Sequence, residues 1–245
     1  MKLIVNGAAG RMGRILIEML PAESVAARVD QALAPDAAAG AYSSLDQYDG
    51  PADVLVDFTN HAATAAVLDY CLARRLPAVI CTTGQTGEEQ ALIEGASDEI
   101  PIFQSANMSI GVAVLADLAR RAAAAFPQAD IEIVERHHNQ KLDVPSGTAL
   151  LLARRIAEAR PDAECVVGRH EYGKRRPNEI GIHSLRYGNE VGTHEIIIAT
   201  GRETLTLKHE AEHRALFADG ALAAARFIAG KAPGLYDMRD MLGQE

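Results

Sequence analysis

The sequence predicts an α/β protein that combines a doubly wound parallel sheet in one domain with a second α/β domain built on a mixed sheet. Three observations lead to this prediction. Short apolar runs alternate with longer helix-forming segments in the first half, and a glycine-rich turn joins the first strand to the first helix. From Asp130 onward the pattern changes to strict apolar/polar alternation, which indicates a different kind of sheet.

The first half of the chain is predicted to alternate strands with crossover helices. Good helix formers separate the apolar runs, so the simplest topology is a parallel sheet whose strands are joined by right-handed crossover helices. The predicted strands are Lys2–Asn6, Val25–Asp30, Val54–Thr59, Ala78–Thr82 and Ile102–Gln104. The predicted helices are Arg11–Leu20, Ala62–Arg74 and Glu88–Ala96.

The alternation of short strands with crossover helices ends after Ser105, where a second domain is expected to begin. Its predicted elements are the helix Ile110–Ala125, an alternating strand from Asp130 to Glu135, the helix Thr148–Ala159, a Gly/Pro/Arg-rich loop over Gly168–Pro177, and the strands Ile180–Tyr187, His194–Ala199 and Thr204–His209. A last helix covers Ala215–Ile228. Because a chain that leaves a sheet edge often returns to complete the first domain, we expect one domain of residues 1–107 plus 215–245 and another of residues 108–214.

Composition and charge argue against several classes of protein. The 245 residues include 24 Lys+Arg and 33 Asp+Glu, for a formal net charge of −9, and contain no Trp. The acidic balance and the scarcity of aromatics argue against a nucleic-acid partner. A mean hydropathy of −0.02, without an apolar run near the ~20 residues of a membrane span, argues against a membrane protein. The three widely spaced cysteines and the lack of a visible targeting segment predict a cytoplasmic location.

The glycine-rich turn is typical of a dinucleotide site. Directly after the first strand comes Gly7-Ala8-Ala9-Gly10-Arg11-Met12-Gly13, which leads into the first helix. Gly7 permits the turn, Gly10 lets the backbone approach a pyrophosphate, and Gly13 allows close packing of helix on strand. The free N–H groups at the helix N-terminus then meet the phosphate charge. Because the spacing is GxxGxxG rather than GxGxxG, the prediction depends on this strand–turn–helix context.

Asp30 strengthens the prediction of a bound dinucleotide. It ends the second predicted strand, where a carboxylate accepts hydrogen bonds from the adenosine ribose hydroxyls. A carboxylate also repels a 2′-phosphate, and the following Gln31 is not the arginine that would bind one, so the sequence favours NADH over NADPH. Arg11 and Arg28 leave NADPH open as the alternative.

Two later strand ends supply small and hydroxylated residues. Ligands of open α/β sheets lie beyond the carboxyl ends of the strands, so these residues are candidates for contacts with the nicotinamide ribose and carboxamide. They are Thr82-Thr83-Gly84 and Ser105-Ala106-Asn107-Met108.

A basic loop in the second domain carries the most specific chemistry. Two adjacent histidines, His137 and His138, are followed by Lys141 and then by Ser146-Gly147-Thr148 at a predicted helix start. Side-chain cations on one side and helix N–H groups on the other make a site for carboxylates, so a small dicarboxylate is the expected ligand. His137 and Lys141 can also serve as proton donors.

These motifs together resemble the 4-hydroxy-tetrahydrodipicolinate reductase, or dihydrodipicolinate reductase, family of lysine and diaminopimelate biosynthesis. The resemblance extends over essentially the whole chain. It includes the glycine turn and the segments Asp57-Phe58-Thr59, Thr82-Thr83-Gly84, Ala106-Asn107-Met108-Ser109, Glu135 through Ala149, Ile182-His183-Ser184-Leu185-Arg186 and Gly234-Leu235-Tyr236-Asp237-Met238.

The resemblance implies a Rossmann-like dinucleotide-binding domain, a substrate-binding and oligomerisation domain, and a homotetramer. It implies that NADH or NADPH reduces an unsaturated cyclic dicarboxylate, with loss of water from the 4-hydroxy substrate. His137 matches the family's proton donor/acceptor and Lys141 its proton donor. The implied substrate contacts are His138, Gly147 and Thr148, and the implied cofactor contacts are Gly7, Ala8, Ala9, Gly10, Arg11, Met12, Asp30, Cys81, Thr82, Thr83, Ser105, Ala106, Asn107 and Met108. No metal site is implied.

The sequence departs from the family pattern in three places. Cys81 stands where the family usually has glycine, and Met108 takes a place often held by phenylalanine. Asn139-Gln140 replaces a more basic pair, which weakens the positive field without removing the proposed donors.

Two other functions share some of these motifs. His209-Glu210-Ala211-Glu212-His213 spells HExxH, the signature of a zinc metalloprotease, but this motif requires a helix and His209 ends a predicted strand. A non-catalytic protein that senses nicotinamide dinucleotides would keep the glycine turn, yet it would have no use for His137 together with Lys141.

Overall fold

The computed structural model describes residues 1–170 and 172–243. The chain divides into two compact units: unit 1 comprises Met1–Ser109 and Ala215–Glu245, and unit 2 comprises Ile110–Arg214. The elements in chain order are β1 (Leu3–Asn6), α1 (Arg11–Met19), β2 (Val25–Val29), β3 (Ala41–Tyr42), β4 (Val54–Asp57), α2 (Thr64–Arg74), β5 (Ala78–Ile80), α3 (Gly87–Ser97), β6 (Pro101–Gln104), α4 (Ile110–Ala125), β7 (Asp130–His137), α5 (Gly147–Ala159), β8 (Glu164–Val167), β9 (Glu179–Arg186), β10 (Gly192–Ala199), β11 (Thr204–Ala211), α6 (Ala215–Ile228), β12 (Gly234–Tyr236) and α7 (Met238–Leu242).

Unit 1 contains a seven-stranded sheet in the order β12-β6-β5-β4-β1-β2-β3, and all neighbouring strands are parallel. Every residue of β1, β4 and β5 is buried, as expected for a parallel sheet that helices cover on both faces. The predicted doubly wound sheet is therefore confirmed. Because the strand order reverses between β1 and β4, a crevice opens at the carboxyl ends of these two strands.

Unit 2 contains a five-stranded mixed sheet in the order β11-β10-β7-β9-β8. Its central strand β7 runs antiparallel to β10 and parallel to β9. Alternate residues of β7, including Ile131 and Ile133, join a core with α4 and α5. The predicted mixed sheet is confirmed, and its period-2 pattern places Glu135 and His137 on the same face as this core.

Most predicted elements are present, with differences at their ends. Helices α4 and α6 have the predicted bounds, whereas β2, β4 and β5 end one or two residues before Asp30, Thr59 and Thr82. These residues turn out of the sheet into the loops beyond it. The sequence did not reveal β3, β8, β12 or α7, because elements of two to five residues show no periodic pattern. None of the helices in the described residues has the length and apolar character that a membrane crossing needs.

Candidate functional site

The turn between β1 and α1 accepts only glycine at two positions. Gly7 has a φ of +81°, and a Cβ built on it would lie 2.8 Å from the carbonyl carbon of Phe58. A Cβ on Gly13 would lie 2.2 Å from the carbonyl oxygen of Gly7, so the helix packs directly on the turn. Helix α1 begins after Gly10 without a side-chain cap. Its first N–H groups are therefore placed to receive an anion.

Asp30 ties the turn to the end of β2. One carboxylate oxygen accepts a hydrogen bond from the N–H of Ala9 at 3.0 Å, and the other accepts from the N–H of Ala32 at 2.9 Å. A carboxylate has about four acceptor positions, so both oxygens retain capacity for ribose hydroxyls. The sequence predicted only the ribose contact, and the structure adds that Asp30 also orders the glycine turn.

A cavity of about 530 Å³ lies beside the glycine turn. Gly7, Gly10 and Asp30 line it, together with Gln31 and Asp46. The described residues that line it include two aspartates but no lysine, arginine or histidine. It lies at the strand-order reversal, which is where open α/β sheets bind dinucleotides.

A second cavity of unit 1, also of about 530 Å³, lies at the ends of β5 and β6. Its lining includes four of the residues predicted to contact the cofactor, namely Thr82, Thr83, Ser105 and Ala106. The other three predicted residues on these loops do not line this cavity. Met108 is buried, and Cys81 is half-buried and donates its N–H to the carbonyl of Asp57. The side chain of Asn107 accepts a hydrogen bond from the N–H of Ser109.

The end of β7 carries a buried carboxylate–histidine pair. Glu135 has no solvent exposure, and its Oε2 lies 2.5 Å from Nδ1 of His137. The guanidinium of Arg186 binds both carboxylate oxygens, at 2.7 and 2.8 Å. Burial alone would raise the pKa of the Glu135 carboxyl, but hydrogen bonds from His137, Arg186 and their neighbours hold it well below its usual range. Glu135 is therefore an anion at neutral pH.

Strand register brings this cluster together. On β7, Glu135 lies opposite His194 of β10, and His137 lies opposite Arg186 of β9. The sequence prediction assigned no site role to Glu135, Arg186 or His194. Glu135 could have been found from its spacing, because residues two apart on a strand share a face. The two cross-strand partners depend on register, which no local pattern gives.

Ser146 and His194 form a second buried pair beside the first. Ser146 Oγ lies 3.0 Å from Nε2 of His194 and also accepts a hydrogen bond from the N–H of Ala149, which caps α5. The N–H of Ser146 donates to Oε1 of Glu135 at 3.1 Å. Burial and then repulsion from His137 lower the pKa of His194 to about 3, so this ring is neutral.

Lys141 pairs with a carboxylate of the protein itself, just before the start of α5. Nζ of Lys141 lies 2.8 Å from Oδ1 of Asp143. Partial burial alone would raise the pKa of the Asp143 carboxyl. The hydrogen bond and the charge of Lys141 outweigh burial, so the pKa is lowered overall. Lys141, which was predicted as a proton donor, therefore binds a carboxylate in this structure.

His138, which was predicted to contact the substrate, lies beside a cation of the protein itself. Desolvation and the charge of Arg214 lower its pKa, and its Nε2 lies 3.5 Å from the Arg214 guanidinium. His138 is therefore neutral at pH 7. Two unlike segments supply positive charge here: Lys141 lies in the loop itself, and Arg214 follows β11. The sequence predicted only the lysine.

The candidate metal ligands do not form a convincing metal centre. In the described residues, Glu135, His137 and His194 form the group whose ligand atoms lie within 4.8 Å of one another. Both oxygens of Glu135 are bound by Arg186, whose charge opposes a cation, so we assign no metal here. The HExxH segment begins at His209 within strand β11 rather than on a helix.

Comparisons with known proteins give a consistent result. Residues 1–108 match the sequence family described as Dihydrodipicolinate reductase, N-terminus, and residues 111–242 match Dihydrodipicolinate reductase, C-terminus. A 4-hydroxy-tetrahydrodipicolinate reductase of Caldanaerobacter subterraneus subsp. tengcongensis is 44% identical over 246 residues, which cover 98% of each chain. A protein of the same name from Clostridium tetani is 41% identical over 246 residues, covering 98% of this chain and 96% of that one.

Solved structures show the same fold. A dipicolinate-bound dihydrodipicolinate reductase from Paenisporosarcina sp. TG-14 is similar with a TM-score of 0.81 and 24% identity, covering 98% of each chain. An amine dehydrogenase from Mycobacterium smegmatis is similar with a TM-score of 0.62 and 12% identity, covering 96% of this chain and 94% of that one.

Proposed function

The chain belongs to the dihydrodipicolinate reductase family and reduces 4-hydroxy-tetrahydrodipicolinate, and we propose that it does so with NADH while His137 and Lys141 handle the protons. The observation that supports the site assignment best is the ion pair of Lys141 with the carboxylate of Asp143, just before the start of α5. One carboxylate of the substrate replaces that of Asp143 at Lys141. The solved relative with bound dipicolinate is consistent with a planar dicarboxylate as ligand.

The first cavity of unit 1 supports NADH as the cofactor. Asp30 and Asp46 line it, so a 2′-phosphate would meet two negative charges. Arg28, which could have compensated for them, instead donates a hydrogen bond to the carbonyl of Ala39. The glycine turn and the first N–H groups of α1 bind the pyrophosphate, and Asp30 binds the ribose. A bound reduced nicotinamide supplies the hydride.

The protons are provided by unit 2. The substrate loses its 4-hydroxyl group as water, and the ring then gains one hydride and one proton. In the dehydration, the departing oxygen takes up a proton while a neighbouring ring carbon gives one up, so this step consumes no net proton. In the reduction, the ring carbon that becomes electron-rich takes up the one proton that accompanies the hydride. His137 exchanges a proton with the ring, and Lys141 donates one. The charges of Lys141 and Arg214 stabilise the negative charge that develops on the substrate.

The first experiment is a rate measurement with both cofactors. Purified protein would receive fresh substrate, made from pyruvate and aspartate semialdehyde by the preceding synthase, and oxidation of NADH and NADPH would be followed. We expect rapid oxidation that depends on that substrate and is faster with NADH. A faster rate with NADPH would overturn the role given to Asp30 and Asp46. Binding of either cofactor without turnover would favour the dinucleotide-sensing alternative.

We also propose a cytoplasmic homotetramer. The free thiols of Cys71, Cys81 and Cys165 support the location. The face of the unit 2 sheet that α4 and α5 leave open supports self-association, because it carries the half-buried apolar side chains Val134 and Ile197. Light scattering of the purified protein tests the assembly, and a monomeric mass would contradict it.

A further inference from the structure

Glu135 is a buried charge that the mechanism above does not use. It is completely shielded from solvent, yet it is ionised. A buried carboxylate is costly unless each of its oxygens is hydrogen-bonded. Here Oε2 accepts a hydrogen bond from His137 and Oε1 accepts one from the N–H of Ser146. Arg186 donates to both oxygens.

The bond to His137 determines which ring nitrogen faces the reaction. An ionised carboxylate can only accept hydrogen bonds, so Nδ1 of His137 carries a hydrogen and donates it to Glu135. Nε2 is then the nitrogen that exchanges a proton with the substrate. Gly192 packs beside this nitrogen, and a Cβ at that position would lie only 3.0 Å from Nε2, so a larger residue there would crowd it.

The bond to Ser146 reaches the part of the site that binds the substrate carboxylate. Ser146 precedes Gly147 and caps α5, the helix whose first N–H groups are assigned to that carboxylate. Neutral His194 holds the Ser146 hydroxyl from the other side at 3.0 Å. One carboxylate therefore connects the proton-exchanging ring with the start of the binding helix.

We propose that Glu135 is a positioning residue that sets His137 with Nε2 toward the substrate and simultaneously fixes the carboxylate-binding start of α5. Arg186 holds the Glu135 carboxylate in the plane that serves both. This inference rests on the proposed role of His137 and adds a residue that acts through it.

The test compares Glu135→Gln with a matched control. Glutamine keeps the shape but presents an amide NH₂ on one side, so it cannot accept from His137, Ser146 and Arg186 together. Glu132→Gln is the control, because Glu132 lies on the same strand and also binds a histidine and an arginine, His183 at 2.9 Å and Arg175 at 2.6 Å. We expect Glu135→Gln to lower kcat by about 10²-fold or more and to raise KM for the substrate, with an unchanged Kd for NADH. Glu132→Gln should stay within about 2-fold of the wild type in all three constants.

Nitrogen-15 NMR of the His137 ring gives a second test. Its main measurement is made on the wild-type protein, so it holds even if Glu135→Gln does not fold. In the wild-type protein, neutral His137 should show hydrogen on Nδ1, and in Glu135→Gln this tautomer should be lost or mixed. Hydrogen on Nε2 in the neutral wild-type ring would overturn the proposal, as would a wild-type kcat in Glu135→Gln.

A parallel His137→Gln variant separates this inference from the function on which it rests. If His137→Gln remains fully active, the proposed role of His137 fails. If His137→Gln is inactive while Glu135→Gln turns over normally, His137 keeps its role and only the inference about Glu135 fails.

Discussion

At the scale of single residues, the partners of a side chain decide its chemistry more than its residue type does. Three histidines lie in or beside the basic loop, and each has a different environment. His137 is bound to an anion, His138 is held neutral next to Arg214, and His194 is buried and neutral against Ser146. Of these three rings, only His137 is hydrogen-bonded to a carboxylate, and this bond places a hydrogen on its Nδ1.

Lys141→Ala tests the proton donor at this scale. We expect turnover to fall by about 10²-fold or more, because the variant loses both a proton source and a positive charge beside the substrate. The Kd for NADH should not change, because the glycine turn lies in unit 1. Stopped-flow rates and fluorescence titration of NADH measure the two quantities.

The control for Lys141 is Lys174→Ala, which removes an exposed lysine from the same unit. This control should behave like the wild type. Near-normal turnover of Lys141→Ala would rule out the assigned role.

At the scale of elements, two helices begin in different ways, and we expect them to suit different anions. Helix α1 starts after Gly10 with no side-chain cap, and its glycines bring backbone and ligand close together. Helix α5 starts after Ser146, whose side chain caps it and whose N–H is bound to Glu135. The first arrangement leaves room for a pyrophosphate, whereas the second presents a few fixed N–H groups to a carboxylate.

Gly13→Ala tests the close packing of α1 on the glycine turn. The new Cβ would lie 2.2 Å from the carbonyl oxygen of Gly7, so the turn must move. We expect the Kd for NADH to rise by about 10-fold or more, since a shift of about 1 Å misplaces the backbone that meets the pyrophosphate. Isothermal titration calorimetry measures this change.

Gly95→Ala is the matched control for Gly13. Gly95 lies inside α3, and a Cβ there would meet nothing within 4 Å. This substitution should stabilise the fold by about 0.5–1 kcal/mol and leave NADH binding unchanged. Equal NADH affinities for the two alanine variants would contradict the packing argument.

At the scale of the whole molecule, buried ionisable groups link stability to pH. The pKa of His194 is about 3 in the folded protein, below its ordinary value of 6.5. Between these pH values the unfolded chain binds a proton that the folded protein does not, so stability falls as pH decreases. Glu135 acts at lower pH: its lowered pKa contributes stability that is present above about pH 4.5 and is lost as pH falls further.

His194→Gln should reduce this loss of stability. From pH 8 to pH 5 the free energy of unfolding of the wild type should fall by about 2 kcal/mol more than that of the variant, because one buried imidazole resists protonation. Urea unfolding at both pH values measures the difference. His170→Gln, which removes an exposed histidine, should retain the full wild-type loss. Equal losses in the wild type and in His194→Gln would disprove the linkage.

The amino-acid sequence by itself determined the fold class, most elements, the glycine turn and the loop that carries His137 and Lys141. These features have local causes. Apolar periodicity shows whether a segment is a strand or a helix, and a turn such as Gly7–Gly13 has a steric requirement that residue types reveal.

Only the tertiary structure decided how the partners of His137 meet. Arg186 and His194 lie 49 and 57 residues after His137 along the chain. Strand register places both of them next to the buried pair of Glu135 and His137. The tertiary structure also decided that His138 is neutral and that Asp30 orders the glycine turn. Register, burial and charge state arise from contacts between distant segments, and a pattern read along one segment does not contain them.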